Sequence, residues 1–179
     1  MGIVSISDIE TRRAEPTDAE AIAAAHRDSI RSLGPEFYPL HIVRDWEEGL
    51  TPRVYLGAME RGEVFFIATG TIDGERVVLG FASDYRIEGS THGTSVYVRG
   101  LAARRGIGSA LLGLAEAHAI ASAATSIHIE ASLAGVDFYK ANGYTELRRG
   151  ETRLMSGKPI GCVFMQKVLA PARGTGGAV

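Results

Sequence analysis

Cysteine is almost absent: Cys162 stands alone among 179 residues. That excludes an internal disulfide and any zinc site built on a cysteine cluster. A lone cysteine reads as a small core hydrophobe rather than a nucleophile. Long apolar runs are missing too, and none approaches the roughly 20 residues of a membrane-spanning helix. Neither sign of charge dominates: 19 Lys and Arg against 21 Asp and Glu leave a net charge of −2. No global field therefore draws the chain to nucleic acid or to an anionic membrane. The opening "MGIVSISDIE" lacks the basic region of a signal peptide. Ile6 stands where a myristoylation signal needs Ser or Thr. A cytoplasmic location is expected. His41, His92 and His128 share no metal-ligand spacing, so no metal is expected.

What is present is ordinary for a soluble domain: 45% hydrophobic and 22% charged residues. A chain of this size buries roughly 70% of its unfolded surface, enough for a core without staples. One domain is expected over residues 1–169. The tail "APARGTGGAV", residues 170–179, lacks periodicity and is expected to be disordered.

A short strand is predicted from Ile9 to Ala14. Thr17 and Glu20 have capping-box spacing, and Ile22, His26, Ile30 and Leu33 recur at helical spacing. A first helix is thus predicted from Asp18 to Leu33, stopped by Gly34-Pro35. "PLHIVRDWEEG" and "TPRVYLGAMERG" predict two short helices. The texture then turns β-rich. "EVFFIATG" and "ERVVLGFASDYRIE" flank Asp73-Gly74, a hairpin signal, and "TSVYVRG" follows. After a long helical run come the strand "SIHIEA", a short helix in "SLAGVDFYKANGY", and two last strands. Ser132 is the expected cap of that short helix, and Asn142-Gly143 its close. The order describes an α/β fold: one mixed sheet with helices on its faces.

The long helix begins at "RRGIGSALLGLAEAHA". Glycines at a helix start let a phosphate approach unpartnered amides, and Arg104 and Arg105 can add charge-assisted bonds. The same residues also fit a plain glycine turn with two solvated arginines. A P-loop is excluded, because no Lys-Ser or Lys-Thr follows. A dinucleotide fingerprint fails at Leu111, which stands in place of its third glycine.

The longer stretch "VYVRGLAARRGIGSALLGLAEAHA" resembles the acetyl-CoA signature of the GNAT superfamily of N-acetyltransferases, a strand end followed by R-G-x-G-I-G-x-x-L-L. "SLAGVDFYKANGYTEL" is similar to that family's N-x-x-A-x-x-F-Y-x-x-x-G-F, and "FMQKVL" to its last strand. Departures are Gly100 for Pro, Ala103 for Gln or Arg, Ser132 for Asn and Gly135 for Ala. The resemblance implies a twisted mixed sheet of about six or seven strands flanked by helices, with a V-shaped splay between two central strands. It implies acetyl-CoA as cosubstrate, held by Val96, Tyr97 and Val98 through backbone and by Arg104, Arg105, Gly106, Ile107, Gly108, Ser109 and Ala110 at the pyrophosphate. Ser132 and Tyr139 would complete the site, and a homodimer is common among such proteins. Which arginine touches the pyrophosphate stays open.

The implied reaction is acetyl transfer to a primary amine by direct attack. A lysine-like amine has a pKa of about 10.4, so on the order of one in a thousand is neutral at pH 7. A base or a desolvating pocket would help. Tyr139 matches the family's acid and would serve the departing thiolate. Asp84, Glu88, His92 and Glu130 are base candidates, with none preferred. Alternation on its strand turns Glu130 away from Ile127 and Ile129. Phe37, Tyr38, Trp46 and Tyr55 either line an acceptor pocket or simply pack. The competing reading is an inactive acyl-CoA-binding sensor or interaction module.

Overall fold

The structure, a computed structural model, describes residues 5–169. The tail expected to be disordered lies outside them. The elements run β1 Ser7–Arg13, α1 Ala19–Leu33, α2 Leu40–Glu48, α3 Pro52–Glu60, β2 Val64–Ile72, β3 Glu75–Glu88 and β4 Thr91–Val98. Then come α4 Ile107–Ala121, β5 Ser126–Ser132, α5 Val136–Ala141, β6 Thr145–Arg153 and β7 Pro159–Val168. The strands form one seven-stranded sheet in the order β1-β2-β3-β4-β5-β7-β6. Every neighbouring pair is antiparallel except β4 and β5.

Local chemistry explains the turns. Asp73 (φ 51°) and Gly74 (φ 83°) both take positive φ, as a two-residue primed hairpin requires, and β2 and β3 meet there. The first helix starts differently from expectation. Thr17 and Glu20 do not frame it; Asp18 accepts from the Glu15 N–H at 2.8 Å and holds Arg12 at 2.7 Å, and α1 begins at Ala19. Ser132 caps nothing with its side chain. The Leu133 N–H instead donates to the Tyr38 hydroxyl at 2.7 Å, and that hydroxyl donates to the Gly161 carbonyl at 2.8 Å.

The helices divide between two faces. On one, Ile22 and Ala25 of α1 and Tyr55 of α3 pack on Phe65, Ile67 and Phe81. On the other, Ile107, Leu111 and Ala115 of α4 cover Ala68, Leu79 and Ala82. Val136 and Tyr139 of α5 lie on that second face against Ile127, Ile129, Val163 and Met165. A polar staple fastens α4 to the sheet near the helix's C-terminal end. Asp84, 2% exposed, accepts from His92 Nδ1 and His118 Nδ1, each at 2.7 Å.

The parallel pair is short. Thr91, His92 and Gly93 face Ser126, Ile127 and His128, and the ladder ends there. Beyond it β4 stays on β3 and leaves β5. Gly80 makes the close approach to β3 possible: a Cβ there would stand 2.6 Å from the Tyr97 carbonyl oxygen and 3.0 Å from Val98 Cα. Both obstacles are backbone. Gly80→Ala is expected to lower stability by about 1–3 kcal/mol through overpacking, read by urea denaturation; an unchanged midpoint would show that β4 has room to move.

Candidate active site

The segment expected to cradle a phosphate is the turn that starts α4. Arg104 (φ 60°) and Gly106 (φ 79°) both take left-handed backbone conformations, bending the chain into the helix. Gly106 is the N-cap, and the first helical bond runs from the Ala110 N–H to the Gly106 carbonyl at 3.0 Å. The amides of Ile107, Gly108 and Ser109 precede that bond and have no helical acceptor. The positive end of the helix dipole sits on the same amides. A side chain at Gly108 would crowd its neighbour, since a Cβ would lie 3.0 Å from the Phe138 ring. Arg104 and Arg105 are exposed beside this turn. Ala110 belongs to the helix rather than to the cradle, because its amide is already used.

The second part is the open edge of β4. The Val96 N–H donates to the Tyr139 hydroxyl at 3.1 Å, whereas the Arg99 N–H donates to Leu79 of β3 at 2.8 Å. By alternation, the peptide groups of Val96 and Val98 face the opening toward β5. Those of Tyr97 face Phe81 in the β3 ladder. The Tyr97 backbone is therefore committed to the sheet, and its ring lies on the α1 face. Tyr139 is 5% exposed. Burial pushes its phenol well above the ordinary value, Tyr97 and Tyr85 add to the shift, and the Val96 N–H opposes it.

On the α1–α2 face the opening leads into a cavity of about 210 Å³. Tyr38, Trp46 and Tyr97 wall it, Leu154 and Ile160 supply apolar surface, and Glu130 and Ser132 line it from β5. Trp46 stands nearly perpendicular to Tyr38 at 5.9 Å and to Tyr97 at 6.3 Å. The β6–β7 turn closes one side, where Ser156 and Lys158 both donate to Asp45 of α2. Of the aromatics in the α1–α3 region, Tyr38 and Trp46 reach this cavity, Tyr55 packs in the core, and Phe37 is exposed. Asp84 and His92 do not reach it; they are buried together on the α4 side. Glu88 is exposed at the end of β3.

Behind the cavity wall sits His26 of α1, 8% exposed, stacked on Tyr97 at 3.6 Å between ring centres. Its Nδ1 meets the Tyr55 hydroxyl at 2.8 Å, and its Nε2 is buried without a hydrogen-bond partner. Desolvation lowers its pKa from the ordinary 6.5 to about 3. It is therefore a neutral ring at physiological pH, serving as a buttress for Tyr97.

A glycine-capped helix start beside a splayed parallel strand pair defines a class, the acetyl-CoA-type acyltransferase fold. Residues 61–146, which contain the cradle, the open edge and Tyr139, match the family model "Acetyltransferase (GNAT) domain". The chain as a whole has the fold of GNAT acetyltransferases, and the family match lies in its central part. It is similar to a GCN5-related N-acetyltransferase from Rhodopseudomonas palustris at 25% identity, over 94% of this chain and 100% of that one, with a TM-score of 0.75. The PaiA N-acetyltransferase of Thermoplasma acidophilum, solved with coenzyme A, shares the fold at 19% identity over 90% of this chain and 99% of that one, TM-score 0.71. YncA from Salmonella typhimurium, solved with acetyl-CoA, does so at 17% identity over 95% and 99%, TM-score 0.66. No curated protein matches the sequence. No helix among the described residues is long and apolar enough to cross a membrane.

The depressed His26 pKa fixes a pH dependence. Between about pH 3 and 6.5 the unfolded chain holds a proton that the folded chain lacks. Stability from this group is complete above the unfolded value and falls by about 1.4 kcal/mol per unit as the pH drops through that window. Denaturant unfolding at pH 7 and pH 5 is expected to show the native chain losing about 2 kcal/mol more than His26→Phe; equal losses would place the titration elsewhere.

Proposed function

We propose that the protein transfers the acetyl group of acetyl-CoA to a primary amine in the cytoplasm. One observation carries this reading. The open edge of β4 runs from uncommitted helix amides at Ile107–Ser109 to a buried tyrosine hydroxyl at Val96. The amides suit a pyrophosphate, and Gly106 and Gly108 let it come close. The Val96 carbonyl and the N–H and carbonyl of Val98, which face the opening, suit the amides of an extended pantetheine arm, as an added strand would. The thioester would then lie beside Tyr139. Arg104 and Arg105, exposed next to the cradle, would add charge. Ser132 lies across the opening on β5, nearer the acceptor cavity than the cradle.

Tyr139 has a refined role. Its oxygen accepts from Val96, so its own O–H remains to be given. Burial holds the phenol protonated, and a thiol near pKa 8.5 is the stronger acid. Tyr139 therefore stabilises the departing sulfur by donating a hydrogen bond rather than by surrendering a proton.

Two variants test the reading. Tyr139→Phe is expected to lower turnover by about tenfold or more with acetyl-CoA affinity retained, read by thiol release and calorimetry. Turnover at the wild-type rate would remove Tyr139 from the chemistry. Gly108→Val is expected to weaken acetyl-CoA binding by about tenfold by crowding Phe138 and the cradle amides; unchanged affinity would argue against the cradle. Tight binding of acetyl-CoA with no thiol release on any amine would favour the sensor reading.

A further inference from the structure

The cavity on the α1–α2 face carries a more specific message, one that rests on the acetyl-transfer reading. Continuing the β4–β5 register past Gly93 and His128 places Ser95 level with Glu130, and Val96 level with Ala131. Tyr139 reaches Val96 from the α5 face. Glu130 lies on the opposite face, with Tyr97 and Ser132 around the cavity. Two polar groups therefore flank the same point of the opening from opposite sides of the sheet. That arrangement suits acyl transfer, because one group can serve the entering nucleophile while the other stabilises the departing sulfur.

Glu130 has no hydrogen bond or ion pair among the described residues. The groups that feel its charge are Tyr85 of β3, whose phenol burial pushes up to about 12, and the buried Cys162 thiol of β7, raised first by desolvation. Glu63 also acts on Tyr85, and Arg148 and Glu151 of β6 act on Cys162. None of these pairs with the carboxylate. It is the one acid lining the cavity, and the one base there, Arg153, donates to the Gly157 carbonyl at 2.7 Å.

The rest of the wall sets the shape of what enters. The perpendicular Tyr38, Trp46 and Tyr97 rings offer faces and edges to a flat apolar body and a π surface to a cation. A volume of about 210 Å³ is below the roughly 300–1,000 Å³ of pockets for drug-sized ligands. The clasp of Ser156 and Lys158 on Asp45 limits the far side. A second ammonium would find no second carboxylate and would meet Arg153.

We infer that the acceptor is a small primary amine with a single ammonium on a flat apolar body, and that Glu130 binds this ammonium and takes its first proton. The carboxylate accepts one proton and leaves a neutral amine. The amine nitrogen attacks the thioester carbonyl carbon, so the C–N bond forms and the C–S bond breaks. The second proton, released as the nitrogen lone pair enters the amide, ends on the sulfur to give the free thiol. Glu130 returns its proton to water. Tyr139 holds the sulfur by its hydrogen bond throughout.

The test uses the full chain at saturating acetyl-CoA with phenylethylamine, spermidine and a peptide N-terminus as acceptors. Phenylethylamine is expected to have a kcat/KM about tenfold or more above the others. Glu130→Gln, an isosteric change on an exposed strand position, is expected to keep acetyl-CoA affinity and lose about a hundredfold in kcat at pH 7. Its rate should climb about tenfold per pH unit toward the amine pKa near 10, because only amine already neutral can react. Trp46→Leu should raise KM for phenylethylamine more than for butylamine. Turnover dominated by spermidine or peptide, or a Glu130→Gln pH profile like the wild type's, would overturn this inference and leave acetyl transfer standing. No turnover with any of the amines would remove the acetyl-transfer reading and the inference together.

Discussion

Three residue pairs hold β4 to β5, and everything functional depends on the ladder stopping there. Past Gly93 each strand has one satisfied edge: β4 keeps β3, and β5 keeps β7. Their facing edges would be costly if buried without partners. The fold partly satisfies them from outside the sheet. Tyr139 gives its oxygen to the Val96 N–H, and Tyr38 gives its oxygen to the Leu133 N–H just past the end of β5. The remaining peptide groups of Val96 and Val98 lie open to a ligand chain.

The opening has a closed end and a charged end. At the closed end, Asp84 gathers His92 and His118 and fixes α4 against β3 and β4. At the other, α4 presents three amides with no helical acceptor, preceded by two left-handed residues that aim them. Anchoring the C-terminal half of α4 sets where its N-terminal amides stand. The two faces of the sheet then divide the work. The α5 face presents the Tyr139 hydroxyl, which in the proposed reaction would serve the sulfur, and the α1–α2 face presents aromatic walls and the Glu130 carboxylate. His26 stiffens the second face by stacking on Tyr97 and stays neutral because burial opposes its charge.

The sequence revealed features whose cause is local. Asp73-Gly74 demanded a hairpin, because only residues tolerant of positive φ turn so tightly. Gly106 and Gly108 marked a helix start that an anion could approach, and Gly143 (φ 88°) closed α5. What it did not reveal depends on partners far apart in the chain. Tyr97 stands between Val96 and Val98 in sequence, yet its backbone faces β3, a matter of register. Ala110 lost its amide to Gly106 because the N-cap fell at Gly106. Ser132 gave way as a cap to Tyr38, 95 residues from the amide it serves. Asp84, His92 and Glu130 looked alike as base candidates. The side of the sheet each occupies separated them, and that required the crossover of α4 to be known.

The claim at the centre is that the open edge of β4 and the first amides of α4 together hold acetyl-CoA. Amide hydrogen exchange read residue by residue, with and without acetyl-CoA, tests it most directly. The account predicts new protection at Val98, Ile107, Gly108 and Ser109, with Tyr97 unchanged because its N–H is already in the β3 ladder. Binding that leaves those four amides exchanging as before, or that protects a different surface, would contradict it.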